Sequence, residues 1–109
     1  SKAYQNAIKR LKRLDKDNSE SIYTQISTTL LQYLYQRTGV PFNTMPNAQI
    51  KTTLISMGIQ DQSTEEITSC LDQLALLAYT PVNLEDTTKK DVMILTAHNL
   101  INNLSKELR

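Results

Sequence analysis

The stretch that decides the fold runs from Ser19 to Pro41, with the sequence SESIYTQISTTLLQYLYQRTGVP. Its apolar residues recur every three or four positions, the spacing that places side chains on one side of an α-helix. The stripe is wide, so we expect this helix to lie at the centre of the domain and to contact neighbours on more than one side. Asn18 or Ser19 is expected to cap its start, and Gly39 to end it in a left-handed turn. The stripe consists of Ile22, Tyr23, Ile26, Leu30, Tyr33 and Leu34, widened by Leu31 and Tyr35.

Four further segments of the chain also have helical periodicity, and Gly or Pro residues separate most of them. No segment alternates apolar and polar residues over five or more positions, so no strand is predicted. The chain has 109 residues, of which 39% are hydrophobic and 21% charged, as is typical of a single globular domain. We therefore predict an all-α fold, a compact five-helix bundle with short connections. The additional helices are expected at about 2–14, 45–57, 63–79 and 87–108.

Polar residues indicate where the third and fourth helices begin. Thr44 is a candidate N-cap of the third helix. Ser63 and Glu66 have the spacing of a capping box, in which the Ser63 hydroxyl accepts from the Glu66 N–H while the Glu66 side chain reaches back. The fourth helix ends near Tyr79, because Pro81 disfavours helical backbone before it. We expect Tyr79 to pack its ring into the core and its hydroxyl to reach a polar partner.

The first sixteen residues differ in charge from the rest of the chain. They contain six Lys and Arg residues and one Asp, a net charge of +5, whereas the remainder has six Lys and Arg and ten Asp and Glu, a net charge of −4. A basic segment of this kind is either an ordinary solvated helix face or a segment just inside a membrane, where Lys and Arg concentrate. We therefore divide the single domain 1–109 into a basic juxtamembrane-type helix at 1–16 and a helical core at 19–108. The candidate membrane-surface residues are Lys9, Arg10, Lys12 and Arg13.

The chain offers no constellation of catalytic or metal-binding residues. His98, its one histidine, lies at the edge of the apolar stripe of the fifth helix and is expected to pack there. Cys70, its one cysteine, lies within the stripe of the fourth helix, where burial would raise the thiol pKa and make it unreactive. The adjacent acids at 65–66 and 85–86 are expected to complement helix dipoles. We therefore expect no enzymatic activity, no cofactor, no metal and no small-molecule substrate.

Three apolar residues, Leu76, Val92 and Leu95, fall outside the main apolar stripes of the fourth and fifth helices. Isolated exposed apolar residues are common, but three that share one patch would be a candidate docking site for a protein. The alternative hypothesis is a small helical nucleic-acid-binding domain that uses the basic first helix. A recognition helix at the start of the fourth helix is disfavoured, because Glu65 and Glu66 would face phosphates.

The order of motifs along the chain is distinctive. A basic opening precedes a Tyr-rich central helix that ends in Gly-Val-Pro, and an Ala-Tyr-Thr-Pro turn follows the fourth helix. The positions concerned are Ala3, Ala7 and 9–12; Tyr23, Ile26, Leu30, Tyr33, Leu34 and 39–41; Ile50, Leu54 and Gly58; Leu71, Leu74 and 78–81; and 101–104. This order resembles the C-terminal cytoplasmic region of bacterial BatD proteins, in the Bat aerotolerance family. Thr80 departs from the family pattern, in which a small apolar residue follows the tyrosine.

The resemblance implies a membrane-anchored protein with extracytoplasmic β-rich domains, one upstream membrane span, and this helical domain on the cytoplasmic face of the bacterial inner membrane. No apolar run in the chain reaches the 18 residues or so of a span, so the anchor is expected upstream. The implied partners are other Bat-family proteins with von Willebrand A-type domains and a MoxR-type AAA+ ATPase. The implied role lies in oxidative stress tolerance or envelope maintenance. The resulting hypothesis is a non-enzymatic protein-interaction domain, which binds no nucleic acid.

Overall fold

The predicted helices are all present in the computed structural model, which describes residues 1–81 and 87–108. A 3₁₀ turn at Phe42–Thr44 follows the second helix, and the described residues contain no strand. The prediction of an all-α, five-helix bundle is therefore confirmed. The helices are α1 (Lys2–Lys12), α2 (Ile22–Thr38), α3 (Asn47–Ser56), α4 (Asp61–Ala78) and α5 (Thr87–Glu107).

The second helix lies at the centre of the fold, as its wide apolar stripe predicts. It contacts α1, α4, α5 and the 3₁₀ turn, while α3 packs against α4. Ile26, Leu30 and Leu34 are fully buried on it. Tyr35 was expected to widen the stripe but is half-exposed, so the buried surface of α2 stops short of this residue. The core therefore forms around α2, and the outer helices carry the surfaces open to ligands.

Both ends of α2 are fixed by local backbone chemistry. The Ser21 hydroxyl accepts a hydrogen bond from the Thr24 N–H at 3.1 Å, so Ser21 is the N-cap in place of the predicted Asn18 or Ser19. The Asn18 side chain instead accepts from the Glu20 N–H at 3.0 Å, within the connection that precedes the helix. Gly39 ends the helix at φ +76°, a left-handed conformation that glycine adopts without steric cost, as predicted.

Tyr33 brings a polar group into the core of the bundle. Its side chain is buried, and the Arg37 Nη1 donates to its hydroxyl at 2.8 Å. The Arg37 guanidinium also lies 5.8 Å from the centre of the Tyr33 ring, within the range of a cation–π contact. Burial raises the pKa of Tyr33, an effect that the positive charge of Arg37 partly opposes. The buried hydroxyl is thus hydrogen-bonded, which removes the cost of desolvating it.

The start of α4 differs from the prediction. The helix begins at Asp61, and Ser63 lies inside its first turn without capping it. The carboxylate of Glu107, at the end of α5, accepts from the Ser63 hydroxyl at 2.6 Å and from the Gln60 N–H at 3.1 Å. The predicted capping box is therefore wrong, because the helix begins two residues earlier and Ser63 is not its N-cap. These contacts also show that α4 and α5 run antiparallel.

Two other helix ends differ from the sequence prediction. Thr44 does not cap α3, because it lies in the 3₁₀ turn and its hydroxyl donates to the Pro41 carbonyl at 2.8 Å. The first helix ends at Lys12, so residues 13–16 of the predicted basic helix follow it as a non-helical connection. Among the described residues, none of the helices combines the length and apolarity needed to cross a membrane.

The Glu107 contacts predict a stability difference between two carboxylates. We expect Glu107→Ala to lower the free energy of unfolding by about 1 kcal/mol, the usual cost of losing a helix cap. Glu66→Ala, the matched control, should change it by less than about 0.5 kcal/mol, as exposed substitutions generally do. Urea denaturation monitored by circular dichroism measures both. A larger loss of stability for Glu66→Ala than for Glu107→Ala would contradict this expectation and support the capping box predicted from sequence.

Candidate functional site

Cys70 lies where the sequence predicts, inside the helix packing. Its side chain is 1% exposed, and desolvation by burial raises the pKa of its thiol to about 11. A thiol with this pKa carries almost no thiolate at neutral pH, and the thiolate is the nucleophilic form. Cys70 is therefore a packing residue of α4.

His98 belongs to a polar contact between α1 and α5. The Tyr4 hydroxyl donates to Asn102 Oδ1 at 2.6 Å, and Asn102 Nδ2 lies 3.2 Å from His98 Nδ1. This chain of contacts places His98 on the side of α5 that faces α1, whereas Cys70 lies beside Leu100 between α4 and α5. The two residues therefore do not form a nucleophile–base pair.

Acidic side chains do not assemble a metal centre in the part of the chain described here. No group of three or more His, Cys, Asp and Glu residues within 1–81 and 87–108 is placed to hold a metal ion. Glu65 forms an ion pair with Lys51 of α3, and the Glu66 carboxylate accepts from the Gln62 amide at 3.3 Å. The acids at 85–86 lie outside the described residues.

The three apolar residues singled out from the sequence are all exposed. Leu76 of α4 is 70% exposed, and Val92 and Leu95 of α5 are 52% and 61% exposed. Their helical phase predicts this, since each lies away from the residues that α4 and α5 bury in the core. Branched aliphatic side chains this open to water are a feature of surfaces that bind other proteins.

Tyr79 is a fourth large exposed side chain, at the end of α4. It was expected to pack into the core, but its side chain is 89% exposed, so that prediction is wrong. Tyr79 is the C-cap residue of α4, and its N–H donates to the Ala75 carbonyl at 3.3 Å. The helix ends here, and no other element within residues 1–81 and 87–108 covers the ring. Tyrosine is among the residues enriched at the energetic centres of protein interfaces.

A groove lies between α4 and α5, and none of these four residues lines it. It has a volume of about 510 Å³, and Gln73 of α4 and Thr96 of α5 both line it. Leu76 lies three residues after Gln73, and Val92 lies four residues before Thr96, so each continues one wall by a helical turn. Because the helices are antiparallel, both continuations lie at the same end. The groove is lined by Glu65, Glu66, Ser69, Cys70, Gln73, Thr96, Asn99, Leu100 and Asn103.

We name two features of this face and keep the names below. The apolar patch consists of Leu76, Tyr79, Val92 and Leu95. The α4–α5 groove is the polar channel next to the patch, with Glu65 and Glu66 toward its far end. The sequence predicts three members of the patch from their helical phase. The groove was not predicted, and the polar residues on the facing sides of α4 and α5 are the signal that could have indicated it.

The four candidate membrane-surface residues are exposed but do not form one site. Lys9, Arg10 and Arg13 line a cleft of about 260 Å³ between α1 and α2. Lys12 is also exposed, but it does not line this cleft. The basic face predicted from sequence is therefore present, and the fold separates three of its cations from the fourth.

Burial of Cys70 predicts slow chemical modification. We expect iodoacetamide at pH 8 to alkylate the native protein about 100-fold more slowly than the protein unfolded in guanidinium, where the thiol pKa returns to about 8.5. Mass spectrometry over time measures both rates, and Cys70 is the only cysteine that can react. Equal rates in the two states would contradict the buried position.

Exposure of Tyr79 predicts that its ring contributes little to stability. We expect Tyr79→Ala to change the free energy of unfolding by less than about 0.5 kcal/mol, as at other exposed positions. Tyr33→Ala, at a buried tyrosine, is the matched control and should cost about 3–5 kcal/mol, as for other large aromatics. Thermal or urea unfolding measures both variants. A loss of several kcal/mol in the free energy of unfolding for Tyr79→Ala would show that the ring packs in the core.

Comparisons with known proteins give no match: no family model, no curated protein and no solved structure matches this chain. The fold is therefore established by the packing of the helices themselves, and the BatD resemblance stays a prediction.

Proposed function

We propose that this chain is a non-enzymatic protein-interaction domain that binds its partner through the apolar patch and the α4–α5 groove. The observation that carries the proposal is the exposure of four large apolar side chains on two adjacent antiparallel helices, at the end of α4 and in the first half of α5. Burying such side chains in an interface is favourable by about 25 cal/mol per Å² of apolar surface before the costs of association. A patch of this kind next to a polar groove has the anatomy of a small protein interface.

The charge of the groove specifies the chemistry of the partner. Glu66 is exposed and has no cation opposite it among the described residues, whereas Glu65 already pairs with Lys51. Gln73, Asn99 and Asn103 add amide groups that donate and accept hydrogen bonds. We therefore propose a partner segment with apolar side chains for the patch, followed by a basic residue for Glu66.

The BatD resemblance supplies the proposed location and partners. It supports a position on the cytoplasmic face of a bacterial inner membrane, where each of the exposed cations of α1 would gain about 1 kcal/mol beside an anionic leaflet. It also supports von Willebrand A-type Bat proteins or a MoxR-type ATPase as the binding partner. Nucleic-acid binding by the basic face of α1 is the alternative, and the exposed cations of that helix favour it.

Binding to purified partners tests this proposal. We expect the wild-type domain to bind a von Willebrand A-type Bat protein or the MoxR-type ATPase of its host, measured by isothermal titration calorimetry. Leu76→Asp and Leu95→Asp should each weaken binding at least tenfold, because an interface residue of this kind contributes about 1.4 kcal/mol or more. Unfolding temperatures should stay unchanged, because both positions are exposed.

Ile55→Asp is the matched control for these variants. Ile55 is also a large exposed apolar residue, 40% exposed, but it lies on α3 and outside the patch. We expect this variant to bind as tightly as the wild type. Absence of binding to every Bat-family partner would refute the proposed partners, and equal losses for Ile55→Asp and Leu76→Asp would refute the proposed surface.

A further inference from the structure

The cleft between α1 and α2 has walls of unlike composition. One wall carries the side chains of Lys9, Arg10 and Arg13, at the end of α1. The opposite wall is formed by the connection at Asn18 and Glu20, and by the first turns of α2. With three cations and one carboxylate, the cleft has a net charge of +2 at neutral pH. A small anion is the complementary ligand.

The three cations have no partner within the described part of the protein. Lys9, Arg10 and Arg13 make no ion pair and no side-chain hydrogen bond to residues 1–81 or 87–108. Three like charges that line one cleft repel one another, which destabilises the unliganded protein. The helix dipole favours cations at the end of α1 but does not account for a cluster around a cleft. An external anion would satisfy these groups together.

The opposite wall of the cleft is held in place by Gln25. Its Nε2 donates to the Asp15 carbonyl at 2.7 Å and to the Glu20 carbonyl at 3.0 Å, and its Oε1 accepts from the Asp15 N–H at 3.1 Å. These three hydrogen bonds fix the connection between the helices against α2. The cleft is therefore formed before any ligand arrives, which lowers the entropic cost of binding.

We propose that this cleft binds a phosphate group, with Arg10 and Arg13 as its principal ligands and Lys9 as an additional positive charge. Guanidinium groups pair with phosphate oxygens through two parallel hydrogen bonds, a geometry that an ammonium group cannot provide. The volume of about 260 Å³ lies below the 300–1,000 Å³ of pockets for drug-sized ligands, so a single phosphate group fits better than a nucleotide. The phosphate is either a lipid headgroup or a free ion.

This site lies apart from the apolar patch and the α4–α5 groove. It involves α1 and α2, and none of its lining residues lines the groove. The phosphate proposal therefore does not depend on the proposed protein partner, and a failure of one leaves the other standing. It goes beyond general attraction to a charged surface, because it assigns binding to particular cations and predicts that Lys12 is not among them.

A pair of double variants tests the assignment. Arg10→Gln/Arg13→Gln removes two charges from the cleft, and Lys12→Gln/Lys16→Gln removes two charges from exposed positions that do not line it. We expect inorganic phosphate to shift the backbone amide resonances of residues 9–13 and 18–20 saturably in the wild type. The cleft variant should bind phosphate at least tenfold more weakly, and the control variant less than twofold more weakly. Unchanged circular dichroism spectra show that both variants are folded.

Vesicles distinguish the two sources of phosphate. Cosedimentation with phosphatidylcholine vesicles that contain phosphatidylglycerol measures headgroup binding, and competition by inorganic phosphate measures the free ion. Vesicle binding that depends on the cleft and resists millimolar phosphate assigns the site to a headgroup, and displacement by millimolar phosphate assigns it to the free ion. Equal losses in both double variants would overturn the proposal in favour of diffuse attraction. Tighter binding to mixed-sequence RNA than to vesicles, equally dependent on both pairs, would overturn it in favour of nucleic acid.

Discussion

The structure depends on the burial of the apolar stripe of α2. Ile26, Leu30 and Leu34 reach full burial only because α1, α4, α5 and the 3₁₀ turn all contact this helix. Truncating one fully buried leucine to alanine generally costs about 2–5 kcal/mol, a large part of the stability of a small domain. Helices α1, α4 and α5 therefore have to surround α2, and this requirement fixes which of their faces point inward. The outward-facing sides of α1, α4 and α5 carry the two candidate binding surfaces.

Polar contacts between distant residues then position the outer helices. The Tyr4 hydroxyl joins α1 to Asn102 of α5, and Glu107 joins the end of α5 to the start of α4. The Asn47 amide likewise donates to Asp72 and links α3 to α4. Each such hydrogen bond contributes about 1 kcal/mol net, so together they decide orientation more than overall stability. The Glu107 contacts are the ones that join the two walls of the α4–α5 groove, at the start of α4.

The two candidate surfaces differ in the ligands they suit. The apolar patch and the α4–α5 groove combine aliphatic side chains with exposed acids, which suits an apolar and basic protein segment. The α1–α2 cleft combines three unpaired cations with a rigid polar wall, which suits a phosphate group. A domain with these two surfaces could contact a phosphate-bearing surface on one side and a protein on the other. The two proposals together describe an adaptor, and each has its own test.

The sequence by itself determined the number of helices, the central place of α2, its end at Gly39 and the position of Leu76, Val92 and Leu95 outside the main apolar stripes. These features follow from helical phase and backbone preference, which depend on residues close together in the chain. Only the tertiary structure decided the start of α4, because Glu107 binds Ser63 from 44 residues away. It also decided that the Tyr79 ring is exposed, since helical period cannot say whether another element covers the end of a helix. The separation of Lys9, Arg10 and Arg13 from Lys12 was set in the same way, by the position of α2 and its preceding connection against one side of α1.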